Sequence, residues 1–299
     1  MKFSLVWNTA GLGADPDQMQ AVAVHAENVG FESFYVPEHI AFYPGARLGS
    51  FEVPSTTPVT DPLETLGFVA ASTKRLLLGT AVLLIPYHHP VVLAKRIATL
   101  DVLSKGRLRM LTIGLGSLPG EAAAMGVDYT TRGRRADEAI DLLRQLWRGG
   151  EDGVSHHGEF FGFERVCSYP KPLRGLVPIH VGGSSDAAAR RAGTRGDGYF
   201  PGGRLTRQRR AVQLDLMRSA ARGHGRDPDL LEYTRFGTID MNDDDVASRA
   251  DEGVIRLVVS PASRNLEEQL DQISAFAERH RLPAHAATTT ASEHAPPAG

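Results

Sequence analysis

The sequence predicts a (β/α)8 TIM barrel carrying an inserted β-hairpin and a long loop after its second strand. Three observations lead there. Short apolar runs alternate with longer amphipathic ones from end to end, which is the pattern of βα units around a parallel sheet. Eight such units can be counted in 299 residues. Repeated units in that number and length close more often than they form an open doubly wound sheet, which is the alternative architecture.

The strands are expected at "FSLVWN" from Phe3, "SFYVPEH" from Ser33, "LLLGTAVLL" from Leu76 and "LRMLTIGLG" from Leu108. The second half supplies "VPIHVGG" from Val177, "DGYFP" from Asp197, "YTRFGTID" from Tyr233 and "VIRLVVSP" from Val254. Helical periodicity falls between them, at 17–29, 62–73, 90–103, 133–147, 185–195, 206–222, 244–252 and 266–279. Two segments break this rhythm. Residues 43–60 form a Pro/Gly/Ser/Thr-rich loop after strand two, at the end where barrel active sites are built. Residues 150–172 are too long for a plain connector, and the alternation in "SHHGEFFGF" predicts a β-hairpin. Residues 1–282 are thus expected to form one barrel domain. The tail 283–299, "PAHAATTTASEHAPPAG", has no large apolar residue and is expected to be disordered.

Composition narrows the function. A net charge of -2 gives no reason to expect a nucleic-acid or anionic-membrane partner. The basic cluster at 132–135 reads as a solvated helix end. Cys167 is the only cysteine, so neither an intrachain disulfide nor a cysteine metal cluster is available. The adjacent pairs His88/His89 and His156/His157 diverge on any regular element and make poor metal ligands. The N-terminus lacks the pattern of a signal peptide and no run reaches membrane-spanning length, so a soluble cytoplasmic protein is expected. No G-x-S-x-G, H-E-x-x-H or Walker motif is present, which leaves hydrolysis and phosphoryl transfer without apparatus.

Candidate chemistry lies at the C-terminal ends of the strands. Strand two ends in "PEHI", which brings Glu38 and His39 toward the mouth with Tyr43 shortly after; a histidine there can move protons near neutral pH. Strand three carries the small residues Gly79, Thr80 and Ala81, which leave room for a flat ligand or fit the barrel's taper. Strand four ends in "TIGLGSLPG". Its spacing, G-x-G-x-x-x-G, departs from a dinucleotide loop, and no suitable helix is expected directly after it. The stretch "HVGGSSDAAARRAG" turns from a strand into a helix through Gly182, Gly183, Ser184 and Ser185. That turn serves either for capping or for binding a phosphate at a helix N-terminus.

Several segments together resemble the luciferase-like monooxygenase superfamily, and within it the actinobacterial branch that uses the deazaflavin coenzyme F420. They are "VPEHI", "GTAVLLIPYHHPVVLAKRIATLDVLSKGRLRMLTIGLG", "TTRGRRADEAIDLLRQLW" and "PIHVGGSSDAAARRAGTRGDGYFP". The resemblance implies that Gly182, Gly183 and Ser184 hold the coenzyme's phosphate. It implies that His39 lies against the ring, and that Ala81 and Val82 are joined by a non-prolyl cis peptide behind it. Glu38, Thr80, Gly114, Gly116, Ser117 and Gly202 complete the implied coenzyme-binding set. His39, Ser117 and Tyr43 are the implied catalytic candidates. Two departures matter. Tyr43 stands where sugar-phosphate dehydrogenases of the family have tryptophan, and Ser117 stands where they have an acidic residue. The resemblance therefore implies hydride transfer between F420 and a small organic substrate, in a homodimer or larger homo-oligomer. The alternatives are an FMN-dependent two-component monooxygenase and a coenzyme-binding protein without turnover.

Overall fold

A computed structural model describes residues 1–203 and 205–284. Eight parallel strands close into a barrel in chain order: β1 (Lys2–Val6), β2 (Ser33–Val36), β5 (Leu77–Leu84), β6 (Leu108–Gly114), β9 (Ile179–Gly182), β10 (Gly198–Phe200), β11 (Glu232–Phe236) and β12 (Arg256–Val259). Closure runs through the β1–β12 register, from Lys2 opposite Arg256 to Leu5 opposite Val259. The closed sheet rules out the doubly wound alternative. The outer ring contains the eight expected helices: α2 (Pro16–Asn28), α3 (Pro62–Ser72), α4 (Pro90–Leu103), α6 (Arg132–Arg148), α7 (Asp186–Arg195), α8 (Arg207–Gly223), α9 (Asp243–Asp251) and α10 (Leu266–Arg279). The insertion after α6 is the expected antiparallel hairpin, β7 (Val154–His157) with β8 (Gly162–Val166). None of the described helices is long and apolar enough to cross a membrane. The segment expected to be a disordered tail lies outside the described residues from 285 onward.

Local chemistry sets the helix starts. Asp15 and Asp61 each accept hydrogen bonds from two backbone N–H groups of the turn they open, and Pro16 and Pro62 follow at the first helical position. Asn242 and Asp245 form a reciprocal capping box on α9. Several elements were not expected. A short helix, α1 (Thr9–Leu12), follows β1. A two-residue ribbon, β3 (Arg47–Leu48) with β4 (Phe51–Glu52), stiffens the long loop. A six-residue helix, α5 (Pro119–Ala124), opens directly after the Gly-rich end of β6, where no suitable helix was anticipated.

The barrel interior is layered. At mid-height Val6, Tyr35, Met110, Phe200 and Val258 fill the lumen. At the N-terminal end of the strands the filling is ionic: Arg256, 1% exposed, pairs with Glu32 at 2.6 Å and Glu232 at 2.5 Å. His180, equally buried, lies 3.7 Å from Glu232 Oε2. Its Nδ1 has no partner among the described residues. Burial lowers the His180 pKa to about 4; the Glu232 carboxylate opposes that shift and the Arg256 guanidinium reinforces it. The unfolded chain then binds this proton through the window from the ordinary value of 6.5 down to about 4. Stability due to His180 is therefore complete above pH 6.5 and drains as pH falls, on the order of 3 kcal/mol in all. Urea titrations of wild type and His180→Gln between pH 7 and 4.5 are expected to give a flatter stability profile for the variant. Parallel profiles would remove His180 from the acid response.

Candidate active site at the barrel mouth

His39 follows β2 and stands at the mouth with 19% of its side chain exposed. Its Nδ1 lies 3.2 and 3.3 Å from the carboxylate oxygens of Glu121. Glu121 sits on α5, is fully buried, and also accepts the backbone N–H of Ile40 at 2.6 Å and that of Ala41 at 3.4 Å. A carboxylate engaged by these N–H donors accepts from Nδ1–H as well. This leaves Nε2 as the free nitrogen of the imidazole. Phe42 packs its ring 4.7 Å from that of His39. Sequence reasoning missed Glu121. The signal was present in "PGEAAA", a proline at the first helical position followed by a helix-favouring run.

The other expected residues distribute over several roles. Glu38 does not project into the mouth. Its side chain is 1% exposed, and it accepts from Leu84 N and from His88 Nε2 at 3.0 Å. Its own N–H donates to Val82 O. Tyr43 lies on the first turn of α5, where its hydroxyl accepts from Gly120 N at 3.3 Å. Ser117 is exposed, and its carbonyl accepts from the Tyr129 hydroxyl. Thr80 is buried and donates to Thr112 O. Gly202 is half-buried beside open space.

The Ala81–Val82 peptide is cis, as the resemblance implied. Ala81 packs against the mid-barrel layer. Val82 explains two of the glycines. A Cβ on Gly114 would lie 2.3 Å from Val82 Cγ2, and one on Gly182 2.6 Å from Val82 Cγ1. These two glycines are the seat of the valine, a packing role for Gly182 that the sequence did not show. Gly116 has φ +78°, and a Cβ there would meet the Tyr87 hydroxyl at 2.1 Å. That hydroxyl is buried without a partner among the described residues, and burial raises its pKa to about 12. Gly114→Ala is expected to destabilise the protein by about 1–3 kcal/mol through overpacking, and by less in a Val82→Ala background. Urea unfolding of the four-member cycle measures this. Equal losses in both backgrounds would place the clash elsewhere.

The turn into α7 is built differently. Gly183 has φ +90°, a backbone conformation that favours glycine, and Gly183, Ser184 and Ser185 are all exposed. Ser185 caps the helix by accepting from Ala188 N at 3.1 Å. The N–H groups of residues 183–187 have no acceptor among the described residues. From beneath, buried Gln213 donates to Ser184 O. Arg235 braces the neighbouring loop by donating to Pro201 O at 2.9 Å and Gly203 O at 3.3 Å. Arg209 pairs with Asp186 at the head of α7 and offsets its negative charge there. The result is a fixed, exposed helix N-terminus with free donors, suited to a phosphate.

A separate cavity of about 680 Å³ opens beside His39. The β1–α1 connection, Pro37, Phe42 and Arg264 line part of it; the long loop covers the rest through residues such as Leu48, Phe51, Val53 and Pro58. The residues of the α7 turn do not line it. The structure thus places His39 at the wall of a largely apolar cavity, and the anion-attracting turn of α7 outside that lining.

Comparison with known proteins identifies the family and the fold. The family model described as "Luciferase-like monooxygenase" matches residues 2–297. An F420-dependent glucose-6-phosphate dehydrogenase of Nakamurella multipartita is 32% identical over 62% of this chain and 52% of its own length. The curated relatives in sequence are matched over roughly two thirds of their length or less, up to 65% for uncharacterized mycobacterial proteins 35% identical to this chain. An F420-dependent secondary alcohol dehydrogenase, solved with an F420–acetone adduct, superposes with a TM-score of 0.77 at 18% identity, covering 93% of this chain and 97% of its own. The monooxygenase RslO1 from Streptomyces bottropensis gives a TM-score of 0.74 at 23% identity over 93% and 98% of the two chains. At these identities the two structures share the fold. With the family model matching nearly the whole sequence, the chain belongs to the luciferase-like monooxygenase family.

Proposed function

We propose that this protein is an F420-dependent oxidoreductase that transfers a hydride between the coenzyme and a small, mostly apolar organic substrate. The observation that carries the reading is the α7 turn, whose N–H groups at 183–187 face no acceptor among the described residues. Gly183 and Ser184 would hold the phosphate of the coenzyme, with the Ala81–Val82 segment and His39 flanking its ring. Bound there, F420 supplies a ring carbon that gives or takes a hydride. The F420-dependent relative at 32% identity supports the deazaflavin over FMN.

The chain's own part is proton handling and exclusion of water. His39, held through Nδ1 by Glu121, presents Nε2 to a substrate oxygen and gives or takes the proton that accompanies hydride transfer. The long loop, stiffened by β3 and β4, covers the apolar space and keeps water from the reacting atoms. The carboxylate that the Ser117 position lacks has a counterpart in Glu121. It acts through His39, which makes it a positioning residue.

Two experiments test this. Fluorescence titration of the purified protein with F420 and with FMN is expected to show preference for F420, abolished by Gly183→Asp, which sets a carboxylate among the free N–H donors. Preference for FMN would make the protein a two-component monooxygenase, and binding of neither would end the coenzyme assignment. In Glu121→Gln the amide can donate to Nδ1 and so reverse the histidine tautomer. Turnover is expected to fall by about 10- to 100-fold with F420 affinity intact. Unchanged turnover would remove His39 from proton transfer.

A further inference from the structure

The cavity beside His39 contains a charge that an apolar substrate does not explain. Arg264, on the loop between β12 and α10, is the only formally charged side chain that lines the space among the described residues, and no carboxylate among them does. The guanidinium has no hydrogen-bond or ion-pair partner among the described residues, and the side chain is exposed. Its backbone, by contrast, is fixed. Gln18 on α2 donates to Arg264 O at 2.8 Å, and Gln269, fully buried on α10, donates to Ser263 O at 2.9 Å. Asn265 caps α10 immediately afterwards. The loop therefore holds the arginine at the cavity wall at little further cost in backbone entropy.

A second group points the same way. Asn8 lines the same space at the head of α1 and makes no capping hydrogen bond with its side chain, although asparagine at that position ordinarily does. Its amide is left for a ligand. Phe42, Phe51 and Val53 are among the apolar walls of the same space.

We infer that the substrate of this site is a monoanionic amphiphile: an apolar body against the loop, an anionic terminus such as a carboxylate held by Arg264, and the reacting carbon toward His39. The inference deepens the proposed oxidoreductase reading and rests on it for the placement of the reacting end. Arg264 is a specificity-determining residue on this view. A guanidinium favours a planar carboxylate, with which it can form two parallel hydrogen bonds.

The test is direct binding to the full chain without added coenzyme, by calorimetry, using octanoate and 1-octanol as probes. Octanoate is expected to bind about three- to tenfold more tightly, a modest ratio because Arg264 is in contact with solvent. Arg264→Leu is expected to erase that ratio by weakening octanoate alone, Arg264→Lys to keep part of it, and added salt to diminish it in the wild type. Equal binding of the two probes, binding of neither, or a ratio that survives Arg264→Leu would overturn the inference. The F420 and FMN titrations on the same preparation separate the two readings. Discrimination between the probes without coenzyme binding leaves the anion site standing and removes the oxidoreductase; coenzyme binding without discrimination does the reverse.

Discussion

The buried carboxylate of Glu121 ties the mouth of this barrel together. It draws one donor from an imidazole and two from the backbone of Ile40 and Ala41, so that the end of β2 is bound to the short helix that follows β6. A carboxylate with no exposure is stable only when such donors surround it. Remove one and the others must reorganise. The orientation of His39, the path of the chain into the long loop and the position of α5 are consequently one constraint. Tyr43 adds to it from the loop side, since its ring lies where a Cβ on Gly120 would be and its hydroxyl takes that residue's N–H.

A second constraint, from packing, supports the first. Val82 occupies the space above Gly114 and Gly182, which are on the two strands next to each other at that edge of the mouth. Glu38 fixes the same segment from the other side through its N–H to Val82 O and its carboxylate to Leu84 N. Gly114 and Gly182, which the resemblance implies for coenzyme binding, also form a socket for a valine. The distinction matters for mutational reading: a side chain added at Gly114 disturbs the barrel before it reaches any bound molecule, whereas one added at Gly183 meets only Ala188 Cβ at 3.4 Å and is opposed mainly by its backbone conformation.

The barrel was legible because its signal is repeated. Each strand is a short apolar run and each outer helix an amphipathic one, and closure follows from their number. The hairpin at Val154–Val166 was legible from local alternation. α5 was not, because six residues contain fewer than two helical turns and offer little periodicity. With α5 went Glu121, whose partner in space is 82 residues away in sequence. Glu38 was placed at the correct strand end but on the wrong side of the wall. Position in the chain gives the height of a residue in a barrel; only the packed neighbours decide whether a side chain there turns toward the mouth or back into the protein. The glycines followed the same rule, being identifiable as places without side chains but not by what fills the gap.

On the proposed reading, the phosphate turn and the cavity beside His39 divide the work between different parts of the barrel. The anion-attracting turn belongs to the loops after β9 and β10, and it is braced from within by Gln213 and Arg235. The apolar cavity belongs to the loops after β1, β2 and β12, with Arg264 at its wall. His39 lines the apolar cavity, with its Nδ1 committed to Glu121. Changes in the substrate-facing loops can therefore alter what is bound without touching the residues that hold a phosphate, provided the His39–Glu121 pair stays intact. A barrel with such a division can keep one coenzyme and one proton-transfer geometry while its substrate changes, and the long loop, which lines the apolar cavity, is where that change would be easiest to make.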